Sequence, residues 1–143
     1  MEEFPDDVAS FVQQRLEDQG SFLAWMGGEV LELNREAAKI RLPFDDHLTN
    51  VTEPPTVHGG VTATLVDTVG SLALRPHLEN PYEDQVATIN LNVNYLRRAD
   101  NDLLARGEVV RAGSSVGVSE IEVEQEGETV AVGQASYRIF GGA

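Results

Sequence analysis

Hydrophobic residues follow two different patterns along this chain, and each pattern predicts a different kind of element. Between residues 59 and 75, apolar side chains cover most of the circumference of a helix. From residue 86 onward, apolar and polar side chains instead alternate in successive runs. The first pattern is typical of a helix buried on nearly all sides, and the second of strands with one buried face. We therefore predict one enclosed helix with a sheet around it.

The central helix is predicted over residues 59–75 because residues that interrupt helices stand at both of its ends. Pro54-Pro55 precedes it, a pair of glycines begins it, and Arg75-Pro76 ends it. Proline cannot continue a helix from upstream and disfavours helical geometry in the residue before it. One polar stripe crosses the helix at the spacing of a single face, and it consists of Thr64, Asp67, Thr68 and Ser71.

The other elements follow from the same patterning. We predict an N-terminal helix within residues 1–20, running from Phe4 to Gln19, then a short connector over 22–25. Strands are predicted over 28–33, 37–43, 86–96, 103–111, 115–125 and 129–140. In the strand over 86–96, Thr88 is expected on the same side as the asparagines at 90, 92 and 94. In the strand over 115–125 the apolar parity changes, which predicts a bulge near Ser119.

Helices and strands do not alternate regularly in this order, so the sheet should be largely antiparallel. A long apolar helix also needs a sheet that curves around it. The predicted fold class is therefore α+β, with a curved antiparallel sheet around a central helix. No linker or repeat divides the chain, and we expect a single domain over residues 1–143.

Charge is the most unusual global property. The chain holds 24 acidic and 10 basic residues, a formal net charge of −14, and Lys39 is its only lysine. Such a surface repels nucleic acid and anionic lipid, so neither is an expected partner. It also repels itself unless salt screens it, and the Debye length falls to about 3 Å in molar salt. We expect a protein of a salt-loaded, halophilic cytoplasm.

Several functional classes are excluded by what the sequence lacks. Without cysteine there is no disulfide, thiolate metal site or cysteine nucleophile. No apolar run approaches the ~18 residues of a membrane span, and the acidic N-terminus is unlike a signal peptide. The three histidines have no metal-binding spacing, so no metal is expected. A Gly-x-Ser-x-Gly elbow is also missing, which argues against a serine hydrolase.

The start of the central helix is the candidate site. There the amides of Gly59 and Gly60 are expected to be free and to carry the positive end of the helix dipole. Asp67 follows two turns later, and donors for an oxyanion beside a carboxylate are what acyl transfer requires. The spacing alone leaves a second interpretation open, in which Thr64, Thr68 or a backbone donor holds Asp67 for structural reasons only.

Two segments carry a family resemblance. HGGVTATLVD at residues 58–67 and TINLNVNYLRRA at 88–99 resemble the hot dog-fold acyl-CoA thioesterases. The resemblance is to the branch that includes phenylacetyl-CoA thioesterases and thioesterase superfamily member 2. It implies a hot dog fold and hydrolysis of an acyl- or aryl-acyl-CoA to free acid and coenzyme A, without a cofactor or metal. It also implies a homodimer or a homotetramer with sites shared between subunits.

The resemblance assigns roles to individual residues. It makes the Gly59 amide the oxyanion donor and Asp67 either the nucleophile or the general base. His58 would position the thioester, or merely cap the helix. Asn50 would orient water or the carbonyl if a two-residue insertion near Pro54-Pro55 aligns it with the family asparagine. Thr88 would reach the site from the neighbouring subunit.

Substrate-binding positions follow from the same resemblance. Arg97 and Arg98 close a strand where they could meet the nucleotide phosphates of coenzyme A. Gly60 belongs to the helix start, and Gly113 and Ser114 form a turn that would lie near the pantetheine or the phosphates. Two alternative functions stay open, namely a non-catalytic acyl-CoA-binding protein and, less favoured, a hot dog dehydratase.

Overall fold

A long helix lies against a six-stranded antiparallel sheet in the computed structural model, which describes residues 8–141. The elements in chain order are α1 (Val8–Asp18), α2 (Phe22–Met26), β1 (Glu29–Leu33), β2 (Ala38–Leu42), α3 (Gly59–Leu74), β3 (Gln85–Tyr95), β4 (Leu103–Ala112), β5 (Val116–Gln125) and β6 (Glu128–Phe140). The strand order is β1-β2-β4-β5-β6-β3, and every pair is antiparallel. The predicted α+β class, with an antiparallel sheet curved around a helix, is confirmed.

The N-terminal segment differs from its prediction in one place. The predicted start of the first helix at Phe4 lies outside the described residues, and the described part is helical from Val8 to Asp18. Residues 22–25, predicted as a connector, belong to the one-turn helix α2. The Ser21 hydroxyl accepts from the Ala24 N–H at 3.1 Å, and Gly27, at φ +93°, ends the turn. Such a short helix depends on its caps rather than on any periodicity.

The core lies between α3 and the inner face of the sheet. Leu65, Val66, Val69 and Leu74 are fully buried there, and each such side chain contributes on the order of 1.5–3 kcal/mol through burial. The helix comes very close to the strands at Gly70, where a Cβ would lie 2.4 Å from Tyr137 Oη. Glycine at this position lets the helix approach the sheet.

β5 runs without the predicted bulge near Ser119, and that prediction is wrong. Gly117, Ser119, Ile121 and Val123 are all buried and face the helix in regular alternation. The inward positions at 117 and 119 are small because α3 is close. A Cβ at Gly117 would lie 2.6 Å from Leu74 Cδ2, and Ser119 Oγ donates to the Gly70 carbonyl at 2.9 Å. The irregularity lies in β4, between Val109 and Arg111.

β3 is an edge strand, and it does contain a bulge that the sequence analysis missed. Its register shifts between Thr88, which pairs with the buried Tyr137, and Asn90, which pairs with Ser136. Ile89 is the extra residue. Thr88 therefore faces the helix, and the prediction that it shares a face with the asparagines at 90, 92 and 94 is wrong. All residues of β3 except Val86 and Val93 are exposed.

Candidate active site

The start of α3 is fixed by an imidazole cap. His58 Nδ1 accepts from the Gly60 N–H at 2.8 Å, and the His58 N–H donates to the Leu48 carbonyl at 2.8 Å. A neutral ring that accepts through Nδ1 carries its proton on Nε2. A Cβ at Gly60 would lie 2.9 Å from Nδ1, so the cap itself requires glycine at this position. The expectation that the Gly60 amide is free is therefore wrong.

The Gly59 amide is different, because it donates a hydrogen bond to no acceptor among residues 8–141. A Cβ at Gly59 would meet the Tyr95 ring at an ordinary 3.5 Å, so packing inside this chain does not explain the glycine. Open approach to the N–H does explain it. The amide stands at the positive end of the α3 dipole, where negative charge is stabilised.

Tyr95 borders this position, and the sequence analysis did not select it. Its hydroxyl donates to the Gly59 carbonyl, and its ring lies beside the Gly59 Cα. Burial raises the pKa of Tyr95 above its usual value, so the phenol stays protonated and remains a donor. The available signal was its parity, since Tyr95 pairs with the buried Ala131 on the helix-facing side of β3.

A cavity of about 400 Å³ opens beside Gly59 and brings several predicted residues together. Its lining comprises Asn50, Thr56, Val57, Gly59, Thr62, Tyr95, Leu96, Arg97, Arg98, Ala99, Val130 and Ala131. Asn50 Oδ1 already accepts from the Thr52 hydroxyl at 2.6 Å, which leaves the Asn50 amide nitrogen for a ligand. Predicted site residues from three separate segments of the chain, namely Asn50, Gly59 and the pair Arg97 and Arg98, thus line the same cavity.

The two arginines of this cavity have weak partners. Arg98 pairs with Asp100 at 2.6 Å, and Arg97 lies 4.0 Å from Glu128. All four side chains are well exposed, and exposed ion pairs contribute about 0–1 kcal/mol. An anionic ligand could therefore replace either carboxylate at small cost.

Asp67 lies two turns further along α3 and is half-buried rather than enclosed in apolar surroundings. Its Oδ1 accepts from Thr88 Oγ1 at 2.7 Å, and its backbone carbonyl accepts from Tyr137 Oη at 2.6 Å. Burial, reinforced by the Asp67 charge, raises the pKa of Tyr137, so this phenol is a permanent donor. Thr88 thus contacts Asp67 of its own chain, and its predicted reach into a site on a neighbouring subunit stays a prediction.

Gly59 and Asp67 are too far apart to act on one thioester within a single chain. Eight residue steps along the helix separate them, which is about 12 Å at ~1.5 Å per residue. An oxyanion donor and a base must each lie about 3 Å from adjacent atoms of one reacting group. If both residues act on one thioester, they therefore belong to two half-sites that different chains contribute.

Comparison with known proteins decides the family. The family model described as Thioesterase superfamily matches residues 55–132, a range that includes the helix start, α3 and β3. A protein of Halobacterium salinarum, named provisionally as an esterase, is 43% identical over 143 residues, covering 94% of each chain. The chain belongs to the thioesterase superfamily.

Solved structures agree with this assignment. A thioesterase from Haemophilus influenzae matches with a TM-score of 0.84 at 22% identity, over 98% of this chain and 93% of its own. A conserved protein from Pseudomonas aeruginosa matches with a TM-score of 0.76 at 29% identity, over 83% of this chain and 93% of its own. The predicted hot dog fold is confirmed.

In this thioesterase-superfamily chain, Gly113 and Ser114 do not join the other predicted residues. They form the β4–β5 turn, where the Gly113 N–H donates to the Val116 carbonyl at 2.9 Å. Val116 pairs with Arg138, near the end of β6, whereas the cavity beside Gly59 is lined by Val130 and Ala131 at its start. Within one chain the turn lies at the opposite end of the sheet.

A larger cavity of about 630 Å³ lies on the outer face of the sheet, away from α3. Arg106 lines it together with Glu108, Glu120 and Glu122. Such an acid-rich lining repels phosphate groups, which disfavours this cavity as a site for a phosphate-bearing ligand. Within residues 8–141 no three histidine, aspartate or glutamate side chains gather as a metal site would need. Over the same residues, no helix has the length and apolarity to cross a membrane.

Proposed function

We propose that this protein is an acyl-CoA thioesterase of the phenylacetyl-CoA thioesterase branch, acting on an acyl- or aryl-acyl-CoA. Membership of the thioesterase superfamily supports hydrolysis of a thioester in general terms. The observation that carries the proposal is the unpartnered Gly59 amide at the helix start, which opens onto a cavity with two weakly paired arginines. These groups suit a thioester carbonyl attached to a phosphate-bearing carrier.

The proposed chemistry uses the amide and the carboxylate together. The thioester oxygen accepts from the Gly59 N–H, which stabilises the negative charge that develops during attack. As a general base, Asp67 takes a proton from water while the water oxygen bonds to the carbonyl carbon. The carbon–sulfur bond then breaks and the thiolate receives that proton. As a nucleophile, Asp67 instead forms an anhydride that water hydrolyses, and both routes end in the acid and a thiol.

The neighbours of these two groups fit supporting roles. Thr88 holds one carboxylate oxygen of Asp67, which leaves the other free to act. His58 holds the first turn of α3 in place and presents its Nε2–H outward, where it could donate to the substrate. Asn50 offers an amide nitrogen in the same cavity.

A site shared between two chains follows from the separation of the half-sites. We propose that Gly59, His58 and Asn50 of one chain face Asp67 and Thr88 of a second copy. The exposed edge strand β3 supports this arrangement, because a long edge with unpaired backbone groups is a template for pairing with another chain. The expected assembly is a homodimer or a pair of dimers, working in a salt-loaded cytoplasm.

The substitution Asp67→Asn tests the function, because it keeps the volume and removes the basic oxygen. Turnover of a panel of acyl-CoA thioesters, followed with a thiol-reactive dye in molar KCl, should fall at least ~10²-fold. Thermal unfolding of the same sample should change little. Asp18→Asn is the matched control, since Asp18 is exposed on α1 and accepts only from Gln14.

Two results would count against the proposal. A folded Asp67→Asn protein with near-wild-type turnover would remove Asp67 from the mechanism. A wild-type protein that binds coenzyme A thioesters without releasing thiol would favour the non-catalytic binding protein instead.

A further inference from the structure

Thr62 is a polar residue for which neither the fold nor the mechanism above gives a reason. It lies in the first turns of α3, three residues after Gly59 and on the same face of the helix. Its exposed fraction is only 3%. Burying a hydroxyl without a partner costs about 1–3 kcal/mol in proteins, so such groups are normally hydrogen-bonded.

Within residues 8–141, the Thr62 hydroxyl has no hydrogen-bond partner. The other hydroxyls of α3 show the contrast, because Thr64 donates to the Gly60 carbonyl and Ser71 to the Thr68 carbonyl. In the same part of the chain, every fully enclosed side-chain nitrogen or oxygen atom does have a partner. An oxygen without a partner is therefore not fully enclosed, and Thr62 lines the cavity beside Gly59, into which its hydroxyl can open.

The surroundings of this hydroxyl define the ligand that it suits. The cavity wall is apolar at Val57, Ala99 and Val130, and its rim carries Arg97 and Arg98. A ligand that matches this order has apolar links, an internal polar group and a terminal phosphate. A phosphopantetheine arm has that chemistry, with an amide joined to the thioester sulfur by an ethylene link. Thr62 lies about 4.5 Å from Gly59 along the helix axis, at ~1.5 Å per residue. This separation is comparable to the length of the ethylene link between the thioester and the first amide.

We propose that the Thr62 hydroxyl hydrogen-bonds the first amide of the pantetheine arm and thereby selects carrier thioesters over simple alkyl thioesters. This inference rests on the proposed thioesterase function and adds a recognition residue to it. A hydroxyl can donate to the amide carbonyl or accept from the amide N–H, so either orientation of the arm is served. The arm is common to coenzyme A and to carrier proteins, and the arginines at the rim meet the phosphate of either.

The test compares the isosteric variant Thr62→Val on two small substrates. An N-acetylcysteamine thioester keeps the first amide, whereas an S-butyl thioester of the same acid lacks it. Loss of one neutral hydrogen bond should raise KM for the amide-bearing thioester roughly 3- to 10-fold and leave the S-butyl thioester unchanged. Acyl-CoA and acylated carrier protein, as further substrates, then distinguish the two sources of the arm.

Thermal unfolding supplies a second readout, because a binding role and a merely structural role of Thr62 predict opposite changes in Tm. If the hydroxyl is unpartnered in the free protein, Thr62→Val should leave the Tm unchanged or raise it. Ser119→Ala is the control, because its buried hydroxyl does have a partner, the Gly70 carbonyl. That variant should lower the Tm and keep the substrate preference.

Failure of the two proposals is distinguishable. An active Thr62→Val protein that loses both substrates equally, or that unfolds at a clearly lower temperature, would overturn the role of Thr62 alone. A wild-type protein that hydrolyses none of the thioesters would overturn the proposed function together with it.

Discussion

At the scale of single residues, the helix start shows how neighbouring amides acquire different roles. Gly60 donates to the imidazole of His58, so its hydrogen bond serves the helix cap. Gly59 donates to no group among residues 8–141, so its amide is available to a ligand. A carbonyl held from the side by Tyr95 keeps this first turn in position. Of the two glycine amides, only the one that is not already hydrogen-bonded in the helix cap can bind a ligand.

Tyr95→Phe tests that positioning. The ring and its contact with Gly59 remain, whereas the hydrogen bond to the Gly59 carbonyl is lost. We expect kcat to fall roughly tenfold with KM nearly unchanged, a smaller effect than the ~10²–10³-fold for removing an oxyanion donor itself. Steady-state kinetics on Tyr82→Phe, an exposed tyrosine that does not line the cavity beside Gly59, serves as the reference. Equal kinetics for the two variants would show that Tyr95 does not position the site.

At the scale of elements, the sequence was informative where side chains are large. The enclosed helix could be predicted because large apolar side chains such as Val66, Val69 and Leu74 indicate that it is buried. The polar stripe around Asp67 could be predicted from the spacing of its residues. β5 was misread because its inward residues at 117 and 119 are small, so the outward valines at 116 and 118 dominated the parity. Where a helix packs close to a strand, small size rather than apolar character identifies the residues that face the helix.

The candidate site, like the fold, could be predicted from the sequence only in part. HGG and Asp67 were visible as a local motif, and Arg97 and Asn50, which were selected from the resemblance, line the cavity beside Gly59. Tyr95 and Thr62 were not selected, because their importance comes from contacts between α3 and β3 or from a missing contact. Thr88 was selected from the resemblance, and its contact with Asp67 was not predicted because a bulge cannot be read from alternation.

Gly70→Ala tests the close approach of α3 to the sheet. Alanine favours a helix interior by up to about 1 kcal/mol over glycine, but its Cβ would lie 2.4 Å from Tyr137 Oη. Overpacking typically costs about 1–3 kcal/mol, so the net change should be a lower free energy of unfolding. Adding Tyr137→Phe removes the crowding oxygen, and denaturant unfolding should then show a double variant less destabilised than the sum of the single changes. Additive losses would contradict the contact.

At the scale of the whole molecule, charge is the dominant property. Twenty-four acidic and ten basic residues leave a net charge of −14, and ion pairs such as Arg41 with Asp102, at 2.8 Å, lie at the surface. Surface pairs contribute little, so they do not offset the general repulsion between carboxylates. Salt must therefore screen the repulsion between carboxylates. Association of two such chains brings more carboxylates together and increases the salt concentration that is needed.

We therefore expect assembly and stability to depend on salt together. Sedimentation in molar KCl should give the mass of two or four chains, and dilution into low-salt buffer should release smaller species. Thermal unfolding should shift to lower temperature over the same range, because unscreened repulsion destabilises the compact state. Unchanged mass and Tm between dilute buffer and molar KCl would refute the adaptation. An active monomer at working salt would refute the shared site.

The extra residue in β3 has a consequence for how relatives of this chain should be aligned. Ile89 contacts none of the proposed reacting groups, yet it sets which way Thr88 points. A homologue of equal length that pairs without this bulge would keep a threonine in the same column of an alignment and direct it to the opposite surface. Transfer of a catalytic role along this strand therefore requires a comparison of strand pairing, because letter-by-letter identity does not reveal the register.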